Sequence, residues 1–168
     1  WSVMAQSWAQ SQVQSELQAQ GIQAQALLVT PAPFNTVLWR AVMVQGDNYL
    51  EGYYSLFDGG RPVRWTAHLR GSDLMQTHAD HPQLQRMMRF TNGLVRLRIE
   101  HGNLWLTDLR MGQEGAYVFD FDIGPPLALG QPPPPAMQHS QRPAVRESLQ
   151  WLWVRMWGVD LPPLSAKP

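Results

Sequence analysis

From Val37 to Val44 apolar side chains occupy both sides of an alternating pattern. Val37, Trp39, Ala41 and Met43 fall on one side and Leu38, Val42 and Val44 on the other, with Arg40 the single charge. A strand with two apolar faces is expected at the centre of a sheet, covered above and below. Gly46-Asp47-Asn48 offers a turn, and the chain returns as Tyr49 to Phe57, so the stretch reads as a β-hairpin. Just before it, Pro31 and Pro33 rule out a regular helix. Ala24 to Val29 predicts a strand ahead of the hairpin. After the turn Asp58-Gly59-Gly60, Pro62 to His68 predicts another, with Val63, Trp65 and Ala67 alternating against Arg64, Thr66 and His68.

The pattern changes over the next twenty residues. Gly71 to Asp80 is polar and reads as loop. His81 to Phe90 reads as a short helix with Pro82 at its start, where the missing N–H costs nothing, and Thr91-Asn92-Gly93 ends it. Alternation then resumes in Val95 to Glu100, Leu104 to Met111 and Ala116 to Ile123. In the last of these, Tyr117, Phe119, Phe121 and Ile123 form the apolar side against Val118, Asp120 and Asp122. Two meanders flanking a helix predict an α+β fold: one antiparallel, meander-rich sheet of about six or seven strands over residues 23–124, with the helix at 81–90.

Both ends of the chain read as helix. Residues 1–22 hold Ala, Gln, Ser and Glu with no Pro or Gly before Gly21. Trp1, Met4 and Trp8 share a face, while Val13 and Leu17 have rotated off it. A helix so polar suggests a stalk leading out of a membrane region, with the tryptophans near the interface, or a helix lying loosely on the domain. Between 125 and 143, Pro pairs and the run Pro132 to Pro135 predict an extended spacer without regular structure. Residues 144–158 restore helical spacing, with a stripe of Val145, Leu149, Leu152, Trp153 and Met156 expected to pack on the sheet. Trp151 and Trp157 lie off its centre, Gly158 stops the helix, and 159–168 is a tail.

Composition narrows the function more than the fold. The chain has 168 residues, 44% of them hydrophobic, enough for one domain with a substantial core. Thirteen basic and thirteen acidic side chains cancel, which argues against a nucleic-acid surface. All the basic residues but Lys167 are Arg, suited to forked ion pairs. Without Cys there is neither a disulfide framework nor a thiolate metal site, and no apolar run is long enough for a membrane span. Starting at Trp1, the chain reads as a piece of something longer.

The chemistry candidates are few. His78, Asp80 and His81 place two imidazoles and a carboxylate within four residues, a weak candidate for a metal. Their spacing matches no zinc signature, and Asp80 or His81 can instead cap the helix that follows. His68, His101 and His139 are scattered, and Ser55 and Ser72 lack the setting of an activated nucleophile. Asp108 and Arg110, two apart on a predicted strand, share a face with Leu104 and Leu106. They are expected to pair with each other or with Arg40 and Asp58, either as a network that fixes sheet register or as the wall of a pocket for an anionic or metal-bound ligand. Arg40 needs a carboxylate. Its hairpin offers only Glu51, so Asp58 or Asp108 is the expected partner.

The order of Thr30-Pro31-Ala32-Pro33-Phe34-Asn35-Thr36-Val37-Leu38-Trp39-Arg40, Gly52 to Asp58, Phe90-Thr91-Asn92-Gly93, Thr107 to Gly112 and Tyr117-Val118-Phe119 resembles the C-terminal region of the YdjM-like bacterial inner-membrane proteins. The likeness covers roughly residues 20 to 124, and the Trp-rich final helix is also similar. That family is labelled as membrane-bound, metal-dependent hydrolases. The resemblance implies an extramembrane domain, on the cytoplasmic or the periplasmic side, following several transmembrane helices. It implies a divalent metal only in the full-length protein: the family's candidate ligands lie in its membrane-embedded half and have no counterpart here. The expected partner is the membrane, reached through that N-terminal half, and no nucleic acid.

Overall fold

The computed structural model describes residues 2–33, 36–127, 132–139 and 145–162. Among them, the α+β expectation holds in its coarse form, with four helices and eight strands. The single sheet does not. The strands form two antiparallel four-stranded sheets, each in sequential order.

The first sheet contains β1 (Ala26–Pro31), β2 (Leu38–Gln45), β3 (Asn48–Ser55) and β4 (Thr66–Leu69). As its two apolar faces predict, β2 lies inside the sheet and is buried from Leu38 to Val44. The hairpin is tighter than the sequence reading, because Gln45 pairs with Asn48 and only Gly46 and Asp47 are left in the turn. One face carries Trp39, Ala41, Met43 and Tyr54 and packs on α1 (Ser2–Ala19). The other carries Val42, Val44 and Tyr49, which meet Leu94, Leu109 and Tyr117 from the second half of the chain.

The buried side of α1 differs from expectation. Ala5, Ala9, Val13 and Leu17 recur every four residues and lie against the sheet, while Met4 is 76% and Trp8 44% exposed. Small alanines let the helix approach closely and bury well although they contribute little to an apolar pattern. Trp8 still meets the ring of Tyr54 at 5.7 Å. Trp1 lies outside the described residues.

Two helices separate the sheets: α2 (Ser72–Thr77) and α3 (Pro82–Phe90). The expected loop at 71–80 thus contains a helix, too short to show periodicity in a sequence. It buries only Met75. Gly71, at φ +82°, makes the change of direction, and a Cβ there would stand 1.9 Å from the carbonyl oxygen of Leu97. A residue with a side chain cannot pass so close to β5 (Val95–Glu100). Next to Gly71, Arg70 joins the two sheets, its N–H donating to the Asp47 carbonyl and its carbonyl accepting the Leu97 N–H.

That second sheet runs β5, β6 (Asn103–Asp108), β7 (Asp120–Asp122), β8 (Met137–His139). Val95, Leu97, Leu104, Leu106 and Ile123 form its core with Met75 and Leu84 of the helices. Two expectations fail here. The strand expected over 116–123 shrinks to three residues and buries its aspartates: Asp120 takes a forked pair from Arg98, and Asp122 bonds Asn103 and the Gly124 amide. The proline spacer also contains a strand, because Met137–His139 follows the run Pro132 to Pro135 and regains free N–H groups for an edge pairing with β7.

The final helix, α4 (Val145–Met156), sits at the end of β2 with Leu152 against Ala32 and Leu38. The expected stripe is displaced. Leu149 and Trp153 are exposed, whereas Trp151 is half-buried and Arg155 buried. The helix has turned to bring a charge inward, and the reason lies in the site.

Candidate functional site

Arg40 is the natural starting point, since a guanidinium only 3% exposed must find partners. It donates from Nε to Glu51 Oε1 at 2.6 Å, from Nη1 to the Leu109 carbonyl at 2.9 Å and from Nη2 to Tyr117 Oη at 3.4 Å. Burial alone would lower its pKa, but the Glu51 carboxylate together with Tyr117 and Tyr53 outweighs that and leaves it raised. Neither expected partner, Asp58 or Asp108, takes part. In the hairpin register Arg40 faces Tyr53 and Val42 faces Glu51, so Glu51 is the diagonal neighbour of Arg40 on one face of the sheet. A two-residue turn read from Gly46-Asp47 would have revealed this in the sequence; a three-residue turn hides it.

The pair extends into a polar lattice. Glu51 Oε2 accepts the Glu114 amide N–H at 3.0 Å, and Tyr53 Oη lies 3.2 Å from Glu51 Oε1 and 3.1 Å from Gln113. Tyr49 donates its hydroxyl to Glu114, whose carboxylate also pairs with Arg96 at 3.1 Å. Burial first, then nearby carboxylates or hydroxyls, raises the pKa of Tyr49, Tyr53 and Tyr117, so all three stay protonated as donors at neutral pH.

Asp58 belongs to a second cluster. Arg155 donates to both its oxygens at 2.7 Å and to the Tyr53 carbonyl at 2.9 Å, while the Ser55 amide caps Asp58 Oδ2 at 2.7 Å. This forked bond turns α4 so that Arg155 faces the sheet. Arg61 donates to the Asp58 and Gly158 carbonyls. Ser55 Oγ donates to the Met156 carbonyl, which ties it to the helix end. Sequence reasoning missed Arg155. The available signal was its position three residues after Leu152 and four after Trp151, the residues of α4 that also turn toward the sheet.

Asp108 and Arg110 do pair, but locally. Asp108 accepts the Arg110 backbone N–H at 2.9 Å and its guanidinium at 2.8 Å, and Arg110 stacks 4.4 Å from the Phe90 ring centre. The Asp108 hydrogen bond, working against burial, raises the Arg110 pKa. Arg110 lies past the end of β6, in a turn, so the expected shared strand face does not exist. The four charged residues therefore form three separate clusters and not one network.

The histidine candidates do not assemble. His81 occupies the N-cap position of α3 but makes no side-chain cap, and its ring is buried with neither nitrogen bonded among the described residues. Burial, then neighbouring His78, lowers its pKa. Asp80 is exposed, and no group of three His, Asp or Glu side chains able to hold a metal occurs among the described residues.

A cavity of about 360 Å³ opens where β4 ends its pairing with β3 at Thr66 and Glu51. Its walls come from β3, the 58–66 segment, residues 113–114 and α4. Gly52 shapes it by close approach: Val63 and Trp65 cross so near that a Cβ there would meet Val63 at 2.4 Å. Glu51, Asp58 and Arg155 line it; Arg40, Asp108 and Arg110 do not. No family model, curated protein or solved structure matches the chain.

Proposed function

We propose that this chain is the extramembrane domain of a bacterial inner-membrane protein and that it positions or presents a ligand without carrying out a reaction of its own. The membrane assignment rests on the likeness to the YdjM-like proteins; among the described residues no helix is long and apolar enough to cross a bilayer. The non-catalytic assignment rests on one observation. The charged groups most suggestive of chemistry are each held by partners inside the domain, Arg40 through all three of its nitrogens. A guanidinium held at every nitrogen, buried and set back from the cavity wall supports a role in fastening structure.

A second reading draws support from the cavity: the domain orients a polar substrate beside metal ligands supplied by the membrane-embedded half, in a metal-dependent hydrolase. Both readings expect the isolated domain to leave phosphate and ester substrates unhydrolysed with divalent metals added. Turnover lost both on chelation and in a folded Asp108→Ala variant overturns them. A topology reporter at the C-terminus of the full-length protein tests the membrane assignment: recovery wholly outside the membrane fraction defeats it, and membrane recovery fixes the side.

A further inference from the structure

The geometry points to the cavity beside β4 as a binding site for a small organic anion, a carboxylate or phosphate head on an apolar body. The argument starts from which polar groups are already used. Every carboxylate on the wall has its own cation: Glu51 has Arg40, Asp58 has Arg155, Glu114 has Arg96 and Asp160 has Arg64. Arg61 is the surplus cation, 3.5 Å from an Asp58 that Arg155 already holds.

The unused hydrogen-bonding capacity is mostly that of donors. Thr66 and His68 fall on one face of β4, line the cavity and have no side-chain hydrogen bond among the described residues. His68 only stacks on Tyr49, at 5.2 Å. Gln113 uses its carbonyl end toward Tyr53, which leaves its amide nitrogen unspent. Arg64 is 61% exposed and uses one nitrogen, on Asp160; Arg61 is 54% exposed. A cationic ligand would have to displace an arginine from its carboxylate, whereas an anion meets waiting donors. Trp151, Pro62 and Leu161 supply apolar wall. The volume lies at the small end of the usual range for ligand pockets.

This deepens the ligand-presenting reading and rests on it in one respect, that the bound anion is held and not converted. The test is an NMR titration of the ¹⁵N-labelled domain, following the Trp151 indole and the amides of β4. The probes are phenylacetate, phenyl phosphate, neutral phenylacetamide and cationic phenethylamine. At least one anion is expected to saturate the site about tenfold more tightly than the amide or the amine, the preferred head group separating carboxylate from phosphate. Arg64→Met, at an exposed position where folding is safe, is expected to weaken that anion about tenfold, and Thr66→Val less. Absence of saturable binding by either anion, equal binding of the amine, or an unchanged affinity in a folded Arg64→Met protein overturns the site. Release of phenol from phenyl phosphate with binding intact keeps the site and removes the non-catalytic reading.

Discussion

In the β1–β4 sheet the buried charges reach partners far away in the chain, Arg40 the Leu109 carbonyl and Asp58 the guanidinium of Arg155 on the last helix. In the β5–β8 sheet they stay within the sheet and its turns: Arg98 crosses strands to Asp120, and Arg110 bonds Asp108 two residues back. The first arrangement fastens separate pieces of the chain together, while the second finishes pieces already formed. Distant pairs should therefore report on the whole domain, and local pairs only on their own turn.

The largest effect that distinguishes the two belongs to Glu51, which holds Arg40 on the neighbouring strand and accepts the Glu114 amide from the second half of the chain. Glu51→Ala leaves Arg40 buried without its carboxylate and is expected to cost about 3–5 kcal/mol. The double variant Arg40→Met, Glu51→Leu should recover much of that loss, since the cost lies in the orphaned charge more than in the absent pair. Chemical denaturation of both proteins is the measurement. A single variant that loses less than the double would show that Arg40 finds another acceptor.

Arg155→Met comes next, at about 2–3 kcal/mol, less than at Glu51 because Asp58 keeps the Ser55 amide and a nearby Arg61. Its signature is spatial: hydrogen exchange should quicken in α4 and in the turn after β3, while β5 and β6 keep their protection. Uniform loosening of both sheets would mean that α4 is not a separable piece.

Asp108→Asn should cost far less, about 1 kcal/mol. The amide oxygen can still accept the Arg110 backbone N–H, and the guanidinium is partly solvated and stacked on Phe90. For a chain of this length that is a fall of about 2–4 °C in melting temperature. A loss as large as that of Glu51→Ala would remove the distinction between distant and local pairs.

What the sequence revealed follows the same division. Local pattern gave the hairpin, the helix at 81–90, the β5–β6 alternation and the stop at Gly158, each carried by neighbours within a few residues. The split into two sheets was not legible, since which strands pair is decided between distant segments and leaves no mark in local alternation. Periodicity also misled where small or charged residues faced inward: Ala5 and Ala9 on α1, Arg155 on α4, Asp120 and Asp122 on β7. In the candidate site the sequence singled out Arg40, Asp58, Asp108 and Arg110 as one network or pocket wall, and the structure places them in three separate clusters. Two of the partners, Glu51 and Arg155, come from register and helix rotation, and one-dimensional spacing carries neither without the turn length.

The smallest effect tests the least satisfied group. His81 is buried at the start of α3 with no hydrogen bond to either nitrogen among the described residues, and its pKa lies below the ordinary 6.5. Below pH 6.5 the unfolded chain takes up a proton that the folded chain refuses, so stability is complete above that pH and falls as the pH drops toward the folded value. The slope is at most about 1.4 kcal/mol per pH unit, and it ends once the folded imidazole also protonates. His81→Leu removes the titrating group and the unsatisfied nitrogens together, so its stability should decline less than the parent's between neutral and mildly acid pH. Parallel curves for the two proteins would mean that His81 gains a partner on protonation, and the second sheet would then hold a latent pair of its own.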